Sequence, residues 1–419
     1  MDGLAEERLT EMLLVGIHNE IAMKKRILLV AFADLVGEAL GKRIHSLGKG
    51  FLHNGCDVTL LAPMNFQSRD LEGSIEGVRT FWARTAKAED VHSTVKRLGA
   101  RIAFYKLFAR EMRVGTDLVV LSNPNSDHIP AICLARRRRA FTVATYDDLR
   151  RLNTPARASD YITFAAGIVA DRIVPRMVSA NAAISTLLRA RLADIAPGKH
   201  NFICPPIVDT GQFQVNMEAR MLYRQRFGVE KEIVIGYLGT FWVIEGLKIM
   251  LAAIKELWTR WPGLKVIICG AAHRGLRCDD VQELVKEFGL SDIVVQMAWL
   301  PKEDVIGVMS GCDVLVVPKL AVRENCAGMP TKLAEYMSMA KAIVVSRVGD
   351  IPLYATDGRN CLICEPGNAI ELASALYELV CDEGLRARLG REARLDAQKL
   401  FDYRNVSADF LSQSSNGMP

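Results

Sequence analysis

The chain has 419 residues, half of them apolar and 24% charged, with a net charge of +5. That length exceeds one compact core and predicts two domains of an ordinary soluble globular kind. No apolar run approaches the roughly 20 residues a membrane span needs; the longest candidate, 161–170, stops at Asp171. Residues 1–22 lack the charged leader and cleavage site of a signal peptide, so they read as an extension, or Met23 as an alternative start. Ten cysteines show no framework. Cys361 and Cys364 sit in a strand-like run, without the second pair a zinc site wants or the helix start a redox pair wants. Structural thiols in a reducing cytoplasm are the expectation. Residues 1–215 hold 29 basic against 22 acidic residues, +7; the rest hold 24 against 26, −2. The basic half predicts an anionic partner, either a lipid surface or a phosphorylated acceptor.

From Lys25 onward short apolar runs alternate with helical-period segments, the pattern of an open parallel α/β sheet. Strands are predicted at 27–32, 57–61, 117–121, 141–145, 182–185 and 202–206. Gly37 and Gly41 punctuate the loop after the first, and a helix then runs to about Asn54. Polar 209–227 reads as a linker. A second series follows, with strands at 233–238, 265–269, 293–296, 313–317, 342–345 and 361–364. Helices fit at 247–258, 280–288, 302–310, 331–340 and 369–381. The predicted architecture is α/β: two Rossmann-like domains, 23–208 and 228–400, facing across a cleft, with 401–419 returning to the first. Ligands then sit at the carboxyl ends of the strands.

The richest stretch is DVLVVPKLAVRENCAGMPTKLAEYMSMAKAIVVSRVG, from Asp313 to Gly349. It reads strand, loop, helix, strand. Pro330 suits the first helical turn, where its missing N–H costs nothing. Lys332 lies in that turn and Glu335 one turn on. A helix start beyond a parallel strand is an anion site, and a carboxylate nearby suits sugar hydroxyls, as a nucleotide-sugar site needs. An ordinary βαβ unit with a solvated Lys and Glu is the other reading.

The segments IGYLGTFWVIEGLKIMLAAI, LKVIICGAA, WLPKEDVIGVMSGCDVLVVP, MPTKLAEYMSMAKAIVVSRVGDIP and GRNCLICEPGN follow one another through the second half. KRILLVAF, a helix with Arg43, NGCDVTLLAP, ISTLLRARL and ICPPIVDTGQF mark the first. This ordered set resembles the GT-B fold glycosyltransferases, specifically the large family 4 of retaining enzymes. The resemblance implies a metal-independent transferase moving a sugar from a nucleotide donor to a hydroxyl acceptor. No cofactor is implied, since the nucleotide-sugar is a substrate, and no nucleic acid is expected. Glu335 matches the second carboxylate of the family's Glu, seven residues, Glu motif, which holds the donor ribose. The first position is Ala327. The Gly-Met-Pro-Thr-Lys loop resembles members that build bacterial surface polysaccharides. A lipid-linked saccharide is therefore the expected acceptor, met at the inner face of the membrane. A small-molecule acceptor of secondary metabolism, or an inactive homologue supporting a partner transferase, are the alternatives. A nucleotide-sugar epimerase would need a richer set of cleft acids and histidines.

Two departures from the family pattern matter. Where the family carries a basic residue and then Lys-Gly to stabilise the leaving diphosphate, this chain has Thr240 and Glu245-Gly246. A like-charge pair at about 4 Å and an effective dielectric near 20 costs roughly 4 kcal/mol, while a helix terminus offers about 0.3–2 kcal/mol. Glu245 must therefore point elsewhere, or Lys332, Arg274, Lys319 or Arg323 must compensate. The second departure is the family histidine after strand 141–145, replaced by Tyr146-Asp147-Asp148. His128, on an earlier loop, and Asp148 are the catalytic candidates. The plainer readings are a helix start for His128 and a turn cap for Asp147-Asp148, which is not a metal motif.

The expected donor set is Gly239, Thr240, Gly270, Arg274, Lys319, Arg323, Met329, Thr331, Lys332, Leu333 and Glu335. Gly37 and Arg43 stand on the acceptor side. Residues 91–114 carry six basic residues, Lys96, Arg97, Arg101, Lys106, Arg110 and Arg113, among Phe104, Tyr105 and Phe108. At about 1 kcal/mol each near an anionic surface they would suffice for loose peripheral membrane attachment. Arg136–Arg139 form a second patch, or merely complement a helix C-terminus.

Overall fold

The computed structural model describes residues 24–31, 39–63, 72–83, 94–148, 160–272, 277–298 and 300–415. Residues 1–22, Gly37 and Arg274 lie outside them.

The first domain runs β1 (Arg26–Val30), α1 (Ala39–His53), β2 (Asp57–Pro63), β3 (Glu72–Ile75), β4 (Val78–Ala83), α2 (Thr94–Val114), β5 (Leu118–Ser122), α3 (Ile129–Arg137), β6 (Phe141–Tyr146), α4 (Asp160–Met177), β7 (Ala180–Ala183), α5 (Thr186–Ile195) and β8 (His200–Ile203). Among the described residues its sheet has the order β3-β4-β2-β1-β5-β6-β7-β8. All neighbours are parallel except β3 and β4. The central strands are buried on both faces, which is why they read as uninterrupted apolar runs. Leu28, Val30, Val119 and Leu121 pack under α2, α3 and α4; Ile27, Leu29, Leu118 and Val120 pack on the opposite face under α1.

The β3–β4 hairpin is a finding the sequence reading lacked. Ile75 pairs with Val78 across Glu76-Gly77, whose φ values are 46° and 87°. Two consecutive positive φ angles are the hairpin turn that matches strand twist.

The span read as a linker contains α6 (Met217–Arg226). The Asn216 side chain caps it by accepting from the Ala219 N–H. Tyr223 of this helix packs on Gly307, where a Cβ would come within 2.3 Å of its ring. Arg220 and Arg224 both pair with Asp313, at 2.6 and 3.0 Å. The polar residues of this helix therefore dock it on the second domain.

That domain continues with β9 (Ile233–Phe241), α7 (Leu247–Arg260), β10 (Leu264–Ala272), α8 (Cys278–Glu287), β11 (Val294–Met297), α9 (Lys302–Gly311), β12 (Val314–Val317), α10 (Arg323–Ala327), α11 (Thr331–Ser338), β13 (Ala342–Ser346), α12 (Ile351–Tyr354), β14 (Leu362–Cys364), α13 (Ala369–Cys381) and α14 (Glu383–Leu400). Its six strands are parallel in the order β11-β10-β9-β12-β13-β14. Cys361 and Cys364 are free; burial pushes their thiols up to about 12 and about 11, so they pack as apolar residues. The last helix, α15 (Tyr403–Ser415), lies against α1, with Phe410 5.5 Å from Phe51 and 5.2 Å from Phe202 between ring centroids.

The two domains meet directly. Ala183, Ile184 and Leu188 share one apolar cluster with Ala327, Met329, Leu333 and Ile351. At its edge the Ser185 hydroxyl donates to the Ala327 carbonyl, and the Thr186 N–H donates to Asp350 at 2.6 Å.

Candidate functional site

The carboxyl end of β9 and the first turn of α11 are held together by two buried tyrosines. Tyr336 accepts from the Leu238 N–H at 2.9 Å and donates to the Leu238 carbonyl at 3.0 Å. Tyr237 donates to the Thr240 carbonyl at 2.8 Å and lays its ring 4.5 Å under the Lys332 ammonium. Gly239 makes room for that ammonium: a Cβ there would stand 2.5 Å from Nζ. Gly270 has a different reason, because its Cβ would overlap the Gly239 carbonyl at 1.8 Å. The two glycines first serve this close packing of backbone and lysine.

Glu245 lies between Lys332 and Lys319. One carboxylate oxygen takes Lys319; the other takes Lys332 at 2.6 Å. All three side chains are nearly buried, the carboxylate 7% exposed and the lysines 11% and 13%. Burial pushes Glu245 up, but Lys332 and Lys319 outweigh it and hold the carboxyl at about 2. Burial lowers Lys332, yet Glu245 lifts it above its ordinary value. Lys319 stays below its ordinary value, pushed down by burial and by Lys332, with Glu245 and Asp148 acting the other way. Asp148, exposed at the end of β6, thus sends its field from the first domain onto Lys319.

Asn325 fixes the loop. Its Oδ1 accepts from Lys319 at 3.0 Å, and its Nδ2 donates to the Ile244 and Leu320 carbonyls, both at 2.8 Å. Gly246 lets the Glu245 turn approach, since a Cβ there would sit 1.8 Å from the Pro318 carbonyl oxygen. The cluster carries two cations and one anion, a surplus of one positive charge beside a helix start.

The remaining expected residues fall into two groups. Thr240, Thr331 and Glu335 are partly exposed around this cluster, and Arg323 stands exposed at the start of α10. Met329 and Leu333 are buried in the apolar cluster between the domains, so their side chains pack rather than bind. Ala327 is wholly buried in the same cluster, a place where a carboxylate would lose its water.

On the first domain the structure corrects two readings. Arg43 does not reach toward an acceptor. It is buried, with Nε 2.8 Å from Asp147 and its two terminal nitrogens on the Cys204 and Pro205 carbonyls. Asp147 is held further by Asn123, which accepts from its N–H at 2.9 Å and donates to its carboxylate at 3.1 Å. His128 is fully buried at the start of α3, its Nδ1 accepting from the Asn125 N–H at 3.0 Å in a reciprocal cap. A side chain so enclosed touches no substrate in this conformation. Sequence reasoning passed over Tyr237, Tyr336 and Asn325; an aromatic in the strand before Gly239 and another four residues after Lys332 were the available signals.

Helix α2 also differs from its reading. Phe104 and Phe108 are buried against the sheet, leaving Arg101, Lys106, Arg110 and Arg113 outward with Ile102. Among the described residues no three His, Cys, Asp or Glu side chains form a metal-binding group, and no helix is long and apolar enough to cross a membrane.

These two facing parallel-sheet domains are the GT-B fold. Sucrose-phosphate synthase from Thermosynechococcus elongatus superposes with a TM-score of 0.72 at 16% identity, covering 94% of this chain and 99% of the other. Anabaena HepE in complex with UDP gives 0.69 at 17% identity, covering 94% and 100%. Residues 232–382, which hold the lysine cluster, match the family model described as Glycosyl transferases group 1. The D-inositol 3-phosphate glycosyltransferase of Corynebacterium jeikeium is 28% identical over 223 residues, 52% of each chain. A GDP-mannose-dependent phosphatidylinositol monomannoside mannosyltransferase of Mycolicibacterium smegmatis is 24% identical over 50% of this chain and 55% of its own. The chain spans about half the length of the curated relatives it matches.

Proposed function

We propose that the protein is a glycosyltransferase that moves a sugar from a nucleotide-sugar donor to a hydroxyl acceptor. The observation that carries this is the pair of ammonium groups, Lys319 and Lys332, that share the one carboxylate of Glu245 at a helix start within the stretch matching the group 1 glycosyltransferase model. The diphosphate of the donor neutralises their charge as it binds. As the sugar departs, charge builds on the leaving diphosphate, and fixed ammonium groups stabilise it most at that moment. Glu335, one turn beyond Lys332, takes the ribose hydroxyls. Transfer proceeds with retention and needs no metal or cofactor. The acceptor lies on the first-domain side of the cleft, near Asp148.

The acceptor is a lipid-linked saccharide of cell-surface polysaccharide synthesis, met by peripheral contact at the cytoplasmic face of the membrane. Two observations favour it. One relative is named for a phosphatidylinositol monomannoside. The outer face of α4 exposes Ile168, Val169 and Ile173 beside Arg172 and Arg176, with Leu187 and Arg191 of α5 adjoining. Apolar side chains among arginines suit an anionic lipid surface; α2 contributes charge but keeps its aromatics in the core.

Incubation with UDP-glucose, GDP-mannose and other nucleotide sugars, following release of the nucleotide with and without lipid-extract acceptors, tests the reading. Turnover unaffected by EDTA, with the product anomer matching the donor by NMR, is the expected result. Nucleotide binding without turnover on any acceptor would instead favour a homologue that supports a partner transferase, and turnover on soluble acceptors alone would favour the small-molecule reading.

A further inference from the structure

Glu245 stands where a negative charge opposes the binding of a diphosphate, and its geometry argues the reverse. Its carboxylate is nearly buried, with an ammonium on each oxygen. Each ammonium has three N–H donors. Lys332 directs one to Glu245 and one to the Tyr237 hydroxyl, at 2.6 and 3.3 Å. Lys319 directs one to Glu245 and one to Asn325. Among the described residues each ammonium has two hydrogen-bond partners, and a diphosphate has two phosphoryl groups to receive a third N–H from each. Without the carboxylate, two buried like charges face each other across one side chain's width, and Lys319 already sits below its ordinary protonation range.

We propose that Glu245 is a positioning residue for the donor diphosphate, fixing Lys319 and Lys332 as a paired cation site that takes the place of a lysine at position 245. The proposal rests on the donor reading above. Its consequence runs against simple charge counting. Replacing Glu245 with Gln removes a negative charge and should tighten diphosphate binding if the carboxylate merely repels. If it positions, the Gln amide sets an NH2 donor where one carboxylate oxygen met a lysine, that lysine turns away or loses its proton, and binding weakens.

The experiment is calorimetry of the wild-type protein with UDP, GDP, dTDP and ADP, then of Glu245→Gln and Glu245→Asp with whichever binds, alongside its nucleoside and monophosphate. The expected result is diphosphate affinity weakened about tenfold or more in Glu245→Gln, the worth of one charge-assisted hydrogen bond. Nucleoside affinity should stay unchanged. Glu245→Asp, which keeps the charge, should recover part of the loss; should Glu245→Gln fail to fold, the same selective weakening, smaller, is read from Glu245→Asp. In a turnover assay the loss should fall on kcat as well as KM. Unchanged or tighter diphosphate binding in Glu245→Gln overturns the positioning role while leaving the donor reading in place. Equal weakening of nucleoside and diphosphate also overturns it, as general damage to the domain. No binding by the wild type overturns both.

Discussion

Each domain buries a cluster of charge at the carboxyl ends of its strands, and the two clusters differ in their balance. In the first domain Arg43 meets Asp147, one cation against one anion, and the remaining guanidinium donors close on the Cys204 and Pro205 carbonyls. In the second, two lysines share one carboxylate. A buried charge without a partner is expensive, so a balanced cluster with its donors satisfied needs nothing more. A cation left over needs carbonyls to close on, as where Arg220 and Arg224 share Asp313, or an anion to complete it. Both Arg43 and Lys332 read from the sequence as cations of a cleft; only the structure separates one that joins three elements from one that offers its charge.

The difference can be broken most forcefully at Arg43. Arg43→Met strands Asp147 and should lower the unfolding free energy by about 3–5 kcal/mol, measured by urea titration. Nucleotide affinity of the folded fraction should not change. A loss of affinity with no loss of stability would place Arg43 in the site and erase the contrast.

The two glycines sharpen it next. At Gly270 an added Cβ meets the backbone carbonyl of Gly239 at 1.8 Å. Gly270→Ala should therefore cost stability, about 1–3 kcal/mol or more. At Gly239 the Cβ meets the tip of Lys332, on a backbone whose φ of 158° side chains rarely adopt. Gly239→Ala should displace that ammonium and weaken diphosphate binding, besides straining the backbone. Parallel urea and calorimetric measurements on the two variants check that the Gly239 change carries the larger loss of diphosphate affinity.

Acid titration probes the carboxylate alone. The folded Glu245 carboxyl titrates at about 2, below its ordinary 4.5. Its contribution is present above the ordinary value and is lost as the pH falls from there through about 2. The stability gap between wild type and Glu245→Gln should thus be constant near neutrality and close in that window. The smallest effect is expected at the domain contact. Ser185→Ala removes the hydrogen bond to the Ala327 carbonyl and the cap on the Leu188 N–H and should cost about 1–2 kcal/mol, with the affinity for nucleotide retained.

The double α/β architecture was legible because parallel strands buried on both faces are continuous apolar runs, as in LLV of β1 and VLVV of β12. The β3 strand, EGSI, escaped because an exposed edge strand has no such run. Helix α6 escaped because ion pairs to Asp313, not an apolar stripe, dock much of it. Within the site, Lys332 was visible through its loop and helix start. The pairing of Glu245 with Lys319, 74 residues apart, was not, because it depends on how Asn325 and Gly246 fold one loop onto another. Burial of His128 was equally hidden, since residue type does not say which way a helix start faces.

The lysine cluster is proposed, above all, to receive a nucleoside diphosphate. Calorimetry with UDP, GDP, dTDP and ADP on wild type and Lys332→Ala tests it most directly. Micromolar binding of one nucleotide, weakened about 10–100-fold by the substitution, is the expected result. Absence of binding by the wild type, or binding that Lys332→Ala leaves untouched, would contradict it.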